Sequence, residues 1–163
     1  MKRLILIMCC VLASGACRKE QSARQNHTMA VALDADTETC AACGMVVREQ
    51  PSPRGQVVYH DGTREFLCSI GDLLHFLAVP SPSGKPLAIY AEVMPDDHEA
   101  DNRSTTWQVW GEAGELFFVT DIERAAVMGK PVLTFHTRKA AEKAANKLAG
   151  KVVNFDELRT KRQ

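Results

Sequence analysis

Long apolar runs are scarce in this chain, and the signatures of most enzyme classes are missing. The apolar stretch from Leu4 to Leu12 is too short to cross a bilayer, which takes about 20 residues. There is no Gly-x-Ser-x-Gly elbow, no phosphate-binding loop and no HExxH, so no catalytic constellation emerges. The five histidines, His27, His60, His75, His98 and His136, are scattered. A zinc site of ordinary pattern would want a second CxxC or paired histidines, and neither is present. Excess charge is lacking too: 20 basic and 20 acidic residues balance, which gives no electrostatic reason to expect nucleic acid as a partner.

What is present begins with an export pattern. Lys2 and Arg3 precede the short apolar stretch, and Ser14-Gly15-Ala16 places small residues before Cys17. A small-residue run ending in cysteine resembles the bacterial lipobox, in which the cysteine becomes the lipidated first residue. Residues 1–16 are therefore expected to be a signal peptide and Cys17 the lipidation site. Ser14 stands where the motif usually has Leu, so plain cleavage is the competing reading. Residues 17–39 are polar and aperiodic, and are expected to form a lipidated terminus and flexible tether with a reach of about 25 Å. Export would place the remaining thiols, Cys40, Cys43 and Cys68, in an oxidising compartment, where an odd cysteine calls for an explanation.

The stretch Cys40-Ala41-Ala42-Cys43-Gly44-Met45 carries the most chemistry. Two thiols and a thioether lie within reach of one another, and such soft donors select Cu(I). A structural disulfide and a catalytic thiol pair are the competing readings. A catalytic pair needs a helix start to lower the thiol pKa, and Gly44-Met45-Val46-Val47 is poor helix sequence. Met128, in a turn before Gly129 and Pro131, is either a packing residue or a distant ligand, and Cys68 is either a buried hydrophobe or a third thiol ligand. Asp96, Asp97 and His98 fit a solvated linker better than a metal site.

Periodicity predicts a mixed α+β chain. Strands are expected at Met45–Val47, Gln56–Tyr59, Arg64–Leu67, Leu87–Val93, Trp107–Trp110, Leu116–Thr120, Val132–Phe135 and Lys151–Phe155. Ser69 with Asp72 opens a helix whose core face is Ile70, Leu73, Leu74 and Leu77. Thr137 caps an alanine-rich helix over 138–149, stopped by Gly150. The order strand, strand, helix, strand occurs twice, which predicts two similar ββαβ units packed together. Residues 40–95 would form the first unit with the sulfur motif, 96–106 an acidic linker and 107–163 the second unit.

Taken together, the lipobox-like start, Cys40-Ala41-Ala42-Cys43-Gly44-Met45, Phe66-Leu67-Cys68-Ser69-Ile70, Met128-Gly129 with Val132-Leu133-Thr134-Phe135, and Gly150 to Leu158 resemble the NosL family. The resemblance implies a non-enzymatic carrier of Cu(I), periplasm-facing and lipid-anchored, at the outer membrane. Its implied partners are the membrane and, as copper acceptor, nitrous oxide reductase or its assembly machinery. It further implies a fold related to part of organomercurial lyase, with Cys43, Met45 and Met128 as copper ligands and Cys40 beside them. Two departures are visible: Glu123 to Val127 replaces the usual Gly-Pro before Met-Gly, and Pro95 to Arg103 replaces the usual connector. A thiol–disulfide protein using Cys40 and Cys43 to keep a copper site reduced is the alternative function.

Overall fold

The computed structural model of the protein describes residues 28–34, 37–51, 53–95, 108–123 and 130–161. Strands β1 (Gly55–Tyr59) and β2 (Arg64–Leu67) form an antiparallel hairpin. The four residues 60–63 connect them: the Gly62 N–H donates to the Tyr59 carbonyl, and Gly62 takes φ +87°, a conformation glycine adopts without steric cost. Helix α1 (Ile70–Leu77) follows, capped by Ser69, whose Oγ accepts the Asp72 N–H at 3.0 Å. Ile70, Leu73 and Leu74 are buried on the expected face, each worth about 1.5–3 kcal/mol when fully withdrawn from water. Strands β3 (Pro86–Glu92) and β4 (Trp110–Glu112) complete an antiparallel sheet of order β2-β1-β3-β4.

A second antiparallel sheet, of order β6-β5-β7, is built from β5 (Phe117–Thr120), β6 (Leu133–Phe135) and β7 (Lys151–Val153). Helix α2 (Arg138–Lys147) joins β6 to β7 and buries Ala140, Ala141, Ala144 and Ala145. These small side chains pack with Val119, Leu133 and Phe135 of the sheet. The larger cluster combines Val57, Leu67 and Leu73 with Phe118, Val153, Phe155 and Leu158, so the two sheets share a core. Arg54 and Glu92, both wholly buried, form a two-pronged ion pair with contacts of 2.6 and 2.5 Å.

Several sequence expectations change. Met45–Val47 is not a strand: Val46 makes a single bridge to Thr39, and Val47–Glu49 turns as a 3₁₀ helix. The terminal strand ends at Val153, because Asn154 and Glu157 form a reciprocal capping box that opens helix α3 (Phe155–Thr160). The strand expected at Trp107–Trp110 begins only at Trp110 and continues to Glu112, hydrogen-bonded to β3 of the first sheet; Trp107 lies outside the described residues. Within the stretch expected as a tether, Thr28–Asp34 runs along the first sheet. Gln56 holds both Val31 backbone groups, the Tyr90 hydroxyl donates to the Thr28 carbonyl, and Leu33 is buried.

Gly150 ends α2 for a different reason than expected. The left-handed residue is Ala149, at φ +51°, while the Gly150 N–H closes back on the Ala145 carbonyl at 2.9 Å. Gly150 is needed for space: a Cβ there would lie 2.4 Å from Ile122 Cγ2 and 2.9 Å from the Thr120 carbonyl oxygen. Gly150→Ala is expected to cost about 1–3 kcal/mol by overpacking. Ala149→Gly should gain about 0.5–1 kcal/mol by relieving the left-handed strain. Denaturant midpoints of the two variants check both signs.

Candidate metal centre

Residues 39–46 make a small loop against the outer edge of β2. Cys40 N–H donates to the Met45 carbonyl and Gly44 N–H to the Cys40 carbonyl, each at 2.8 Å. Gly44 reverses the chain at φ +76°. Cys40 bridges Phe66 in parallel, and Ala41 N–H donates to the Phe66 carbonyl at 2.9 Å. This pairing covers part of a sheet edge that would otherwise be open. It also sets the CxxC turn beside Cys68, which lies between the end of β2 and the cap of α1.

Three free thiols and a carboxylate converge there. The donor atoms of Cys40, Cys43, Cys68 and Asp72 all lie within 4.8 Å of one another. Cys43 Sγ stands 3.5 Å from Cys68 Sγ, the Cys68 backbone N–H reaches Cys40 Sγ at 3.4 Å, and the Cys68 thiol donates to Asp72 Oδ2 at 2.9 Å. Ser69 Oγ also donates to Asp72 Oδ2, fixing the carboxylate's orientation. Cys40 and Cys68 are buried, whereas Cys43 is half-buried and supplies the way in.

Burial pushes the Cys43 thiol above its usual pKa, with the neighbouring Cys40 thiol adding to the rise. Cys68 is pushed up further, by burial first and then by its hydrogen bond to Asp72. Neither is therefore primed as a free thiolate nucleophile, and the CxxC lies in a turn rather than at a helix start. An ion entering the cluster would have to expel protons, so its apparent affinity rises with pH.

The expected site residues fall into three groups. Cys40 and Cys43 are in the cluster. Met45 is half-buried against the core beside it, its carbonyl tied to Cys40. Met128 and Cys17 lie outside the described residues, as does the Asp96–His98 stretch. Met94 is buried in the alanine-helix cluster, and His60 and His75 are exposed. Asp72 was legible only as a helix-start residue, and no local pattern links it to a motif about 30 positions upstream. Among the described residues, no helix is long and apolar enough to cross a membrane.

Comparisons with known proteins converge on one family. The NosL family model matches residues 30–162. The copper-binding lipoprotein NosL of Stutzerimonas stutzeri is 26% identical over 131 residues, covering 76% of this chain and 63% of that protein. The chain thus spans less than two thirds of that relative's length. The crystal structure of the copper chaperone NosL from Shewanella denitrificans superposes with a TM-score of 0.66 at 26% identity, covering 80% of this chain and 95% of that one.

Proposed function

Since this chain belongs to the NosL family, we propose that it is a periplasm-facing lipoprotein that binds Cu(I) as cargo and delivers it for copper-site assembly in nitrous oxide reductase. Cys40, Cys43, Met45 and Met128 hold the ion, and Cys17 carries the lipid that anchors the chain to the outer membrane. The protein carries copper and catalyses no reaction. The proposed domain plan is a signal at 1–16, a tether from 17 that ends where Thr28–Asp34 meets the first sheet, and two ββαβ units of organomercurial-lyase type at 40–95 and 107–163, joined by 96–106, with strand β4 added to the sheet of the first unit.

The observation that carries this reading is a cluster of soft donors with one half-open thiol. Sulfur donors select Cu(I) over harder ions. A site open on one side lets an acceptor's sulfur or imidazole enter the coordination shell before the carrier's own ligands leave. Copper then moves by ligand exchange, without being released as a free ion. Cys43 is the thiol placed for that exchange, with Cys40 and Met45 fixed on either side of it by the Cys40–Met45 backbone bond. A titration of the reduced protein with Cu(I) under a competing chelator tests it. One equivalent should bind against the chelator and raise the thermal midpoint, as any ligand of the folded state does. No retention of copper against the chelator would reject the carrier.

A further inference from the structure

The end of α1 remote from the sulfur loop carries features that copper carriage does not use. Tyr59, Phe76, Leu77 and Ile89 line an open cavity of about 510 Å³, and Lys85 and Arg159 are part of its wall. No carboxylate lines it, and the chain holds no acidic residue between Asp72 and Glu92. Among the described residues neither Lys85 nor Arg159 makes a salt bridge; the Arg159 guanidinium lies over the Phe155 ring at 5.8 Å. On the loop after the helix, Val79 is 58% exposed. Leu87, two residues before Ile89 on β3 and so on the same side of the sheet, is 41% exposed. An apolar hollow, two projecting apolar side chains and two unneutralised cations thus share one face. Its chemical complement is an anionic amphiphile.

We infer that this face is the one the protein lays on a membrane containing anionic phospholipid. The headgroup phosphate sits between Lys85 and Arg159, and acyl-chain atoms meet Val79, Leu87 and the cavity. The inference rests on the envelope-anchored reading for its source of lipid. Two cations beside an anionic leaflet are together worth about 30-fold in affinity, enough to orient a chain already tethered. The tether permits this orientation. Thr28 is bonded to Tyr90, which lies four residues, or about 13 Å, along β3 from Pro86. The 11 residues from Thr28 back to Cys17 can span at most about 40 Å. The orientation also serves copper transfer. Helix α1 is about 12 Å long, with Cys68 next to its start and the cavity at its end. With the cavity on lipid, the sulfur loop is lifted away from the headgroups and stays open to a water-soluble acceptor.

The test is hydrogen exchange of the full chain on vesicles of phosphatidylcholine alone and of phosphatidylcholine with phosphatidylglycerol in equal part. Amides of residues 78–87 should exchange at least about 10-fold more slowly on the anionic vesicles, with those of 40–46 unchanged. Lys85→Gln combined with Arg159→Gln should abolish the difference. Salt at about 0.5 M should do the same, because it screens charges beyond about 4–5 Å. The salt arm reads the unsubstituted protein, so it decides even if the double variant fails to fold. Flotation with the neutral vesicles reports the anchor separately. A chain that does not float with them lacks the anchor, yet should still show the slowing at 78–87 with anionic vesicles in excess. Equal exchange at 78–87 on both kinds of vesicle would overturn the proposal, as would protection centred on 40–46. Protection that follows protein concentration and not lipid would assign the face to a second copy of the chain, and overturn it too.

Discussion

Cys43→Ser is expected to lower Cu(I) affinity at least about 100-fold in the competitive titration while leaving the fold intact. The magnitude follows from ligand chemistry. Changing a residue that only orients a ligand costs 10–100-fold, so removing a ligand should cost at least the upper end of that range. A serine hydroxyl is a poor donor to a soft ion and offers no thiolate. The fold should survive because Cys43 lies half-open in a turn held by backbone bonds, its Sγ meeting the Cys40 and Cys68 thiols and the Met45 backbone at the margin of the core. Stability should change by less than about 1 kcal/mol, within the ordinary range for a substitution outside the core. Met45→Leu keeps the packing against the core and removes the thioether, so a loss of affinity there isolates the sulfur. Unchanged affinity in both variants would mean that copper, if bound, sits elsewhere.

Breaking the buried ion pair should give the largest stability effect in the chain. Arg54→Met leaves Glu92 charged, wholly buried and without its partner, an arrangement that costs about 3–5 kcal/mol. At about 2–4 °C per kcal/mol for a chain of this size, the thermal midpoint should fall by about 10 °C. The double change Arg54→Met with Glu92→Leu should recover most of the loss, since a packed apolar pair avoids the desolvation of both charges. The pair also ties the molecule together. Arg54 Nη1 donates to the Arg48 carbonyl, in the 3₁₀ turn just after Met45, and the Glu92 carbonyl accepts the Thr134 hydroxyl from the second sheet. Arg54→Met is therefore expected to loosen the sulfur loop as well as the core. Additive loss in the double variant, measured by denaturant unfolding, would show that the two charges are not coupled.

The elements whose signals are local were legible. Helix α1 announced itself through Ser69, Asp72 and the spacing of Ile70, Leu73 and Leu74, and the structure forms the cap as expected. Helix α2 did so through Thr137 and its alanine face. Helix α3 was missed although its signal was present, because Asn154-x-x-Glu157 followed an apolar run that reads as a continuing strand. Val46 and Val47 have strand-forming side chains, yet Val47 turns into the core as part of a 3₁₀ helix, where burial outweighs local propensity. The site was only half legible. Cys40, Cys43 and Met45 share a six-residue motif, but Cys68 and Asp72 join them through the Cys40–Phe66 bridge. That register is set by tertiary pairing and leaves no trace in spacing. The ion pair is invisible for the same reason: Arg54 and Glu92 are 38 positions apart and belong to no motif.

The most direct test of the account is X-ray absorption at the copper edge of the reduced protein loaded with one equivalent of copper. The account predicts an edge of Cu(I) and a first shell dominated by sulfur, with a sulfur scatterer lost in Cys43→Ser. A Cu(II) edge, or a shell of nitrogen and oxygen unchanged by that substitution, would contradict it.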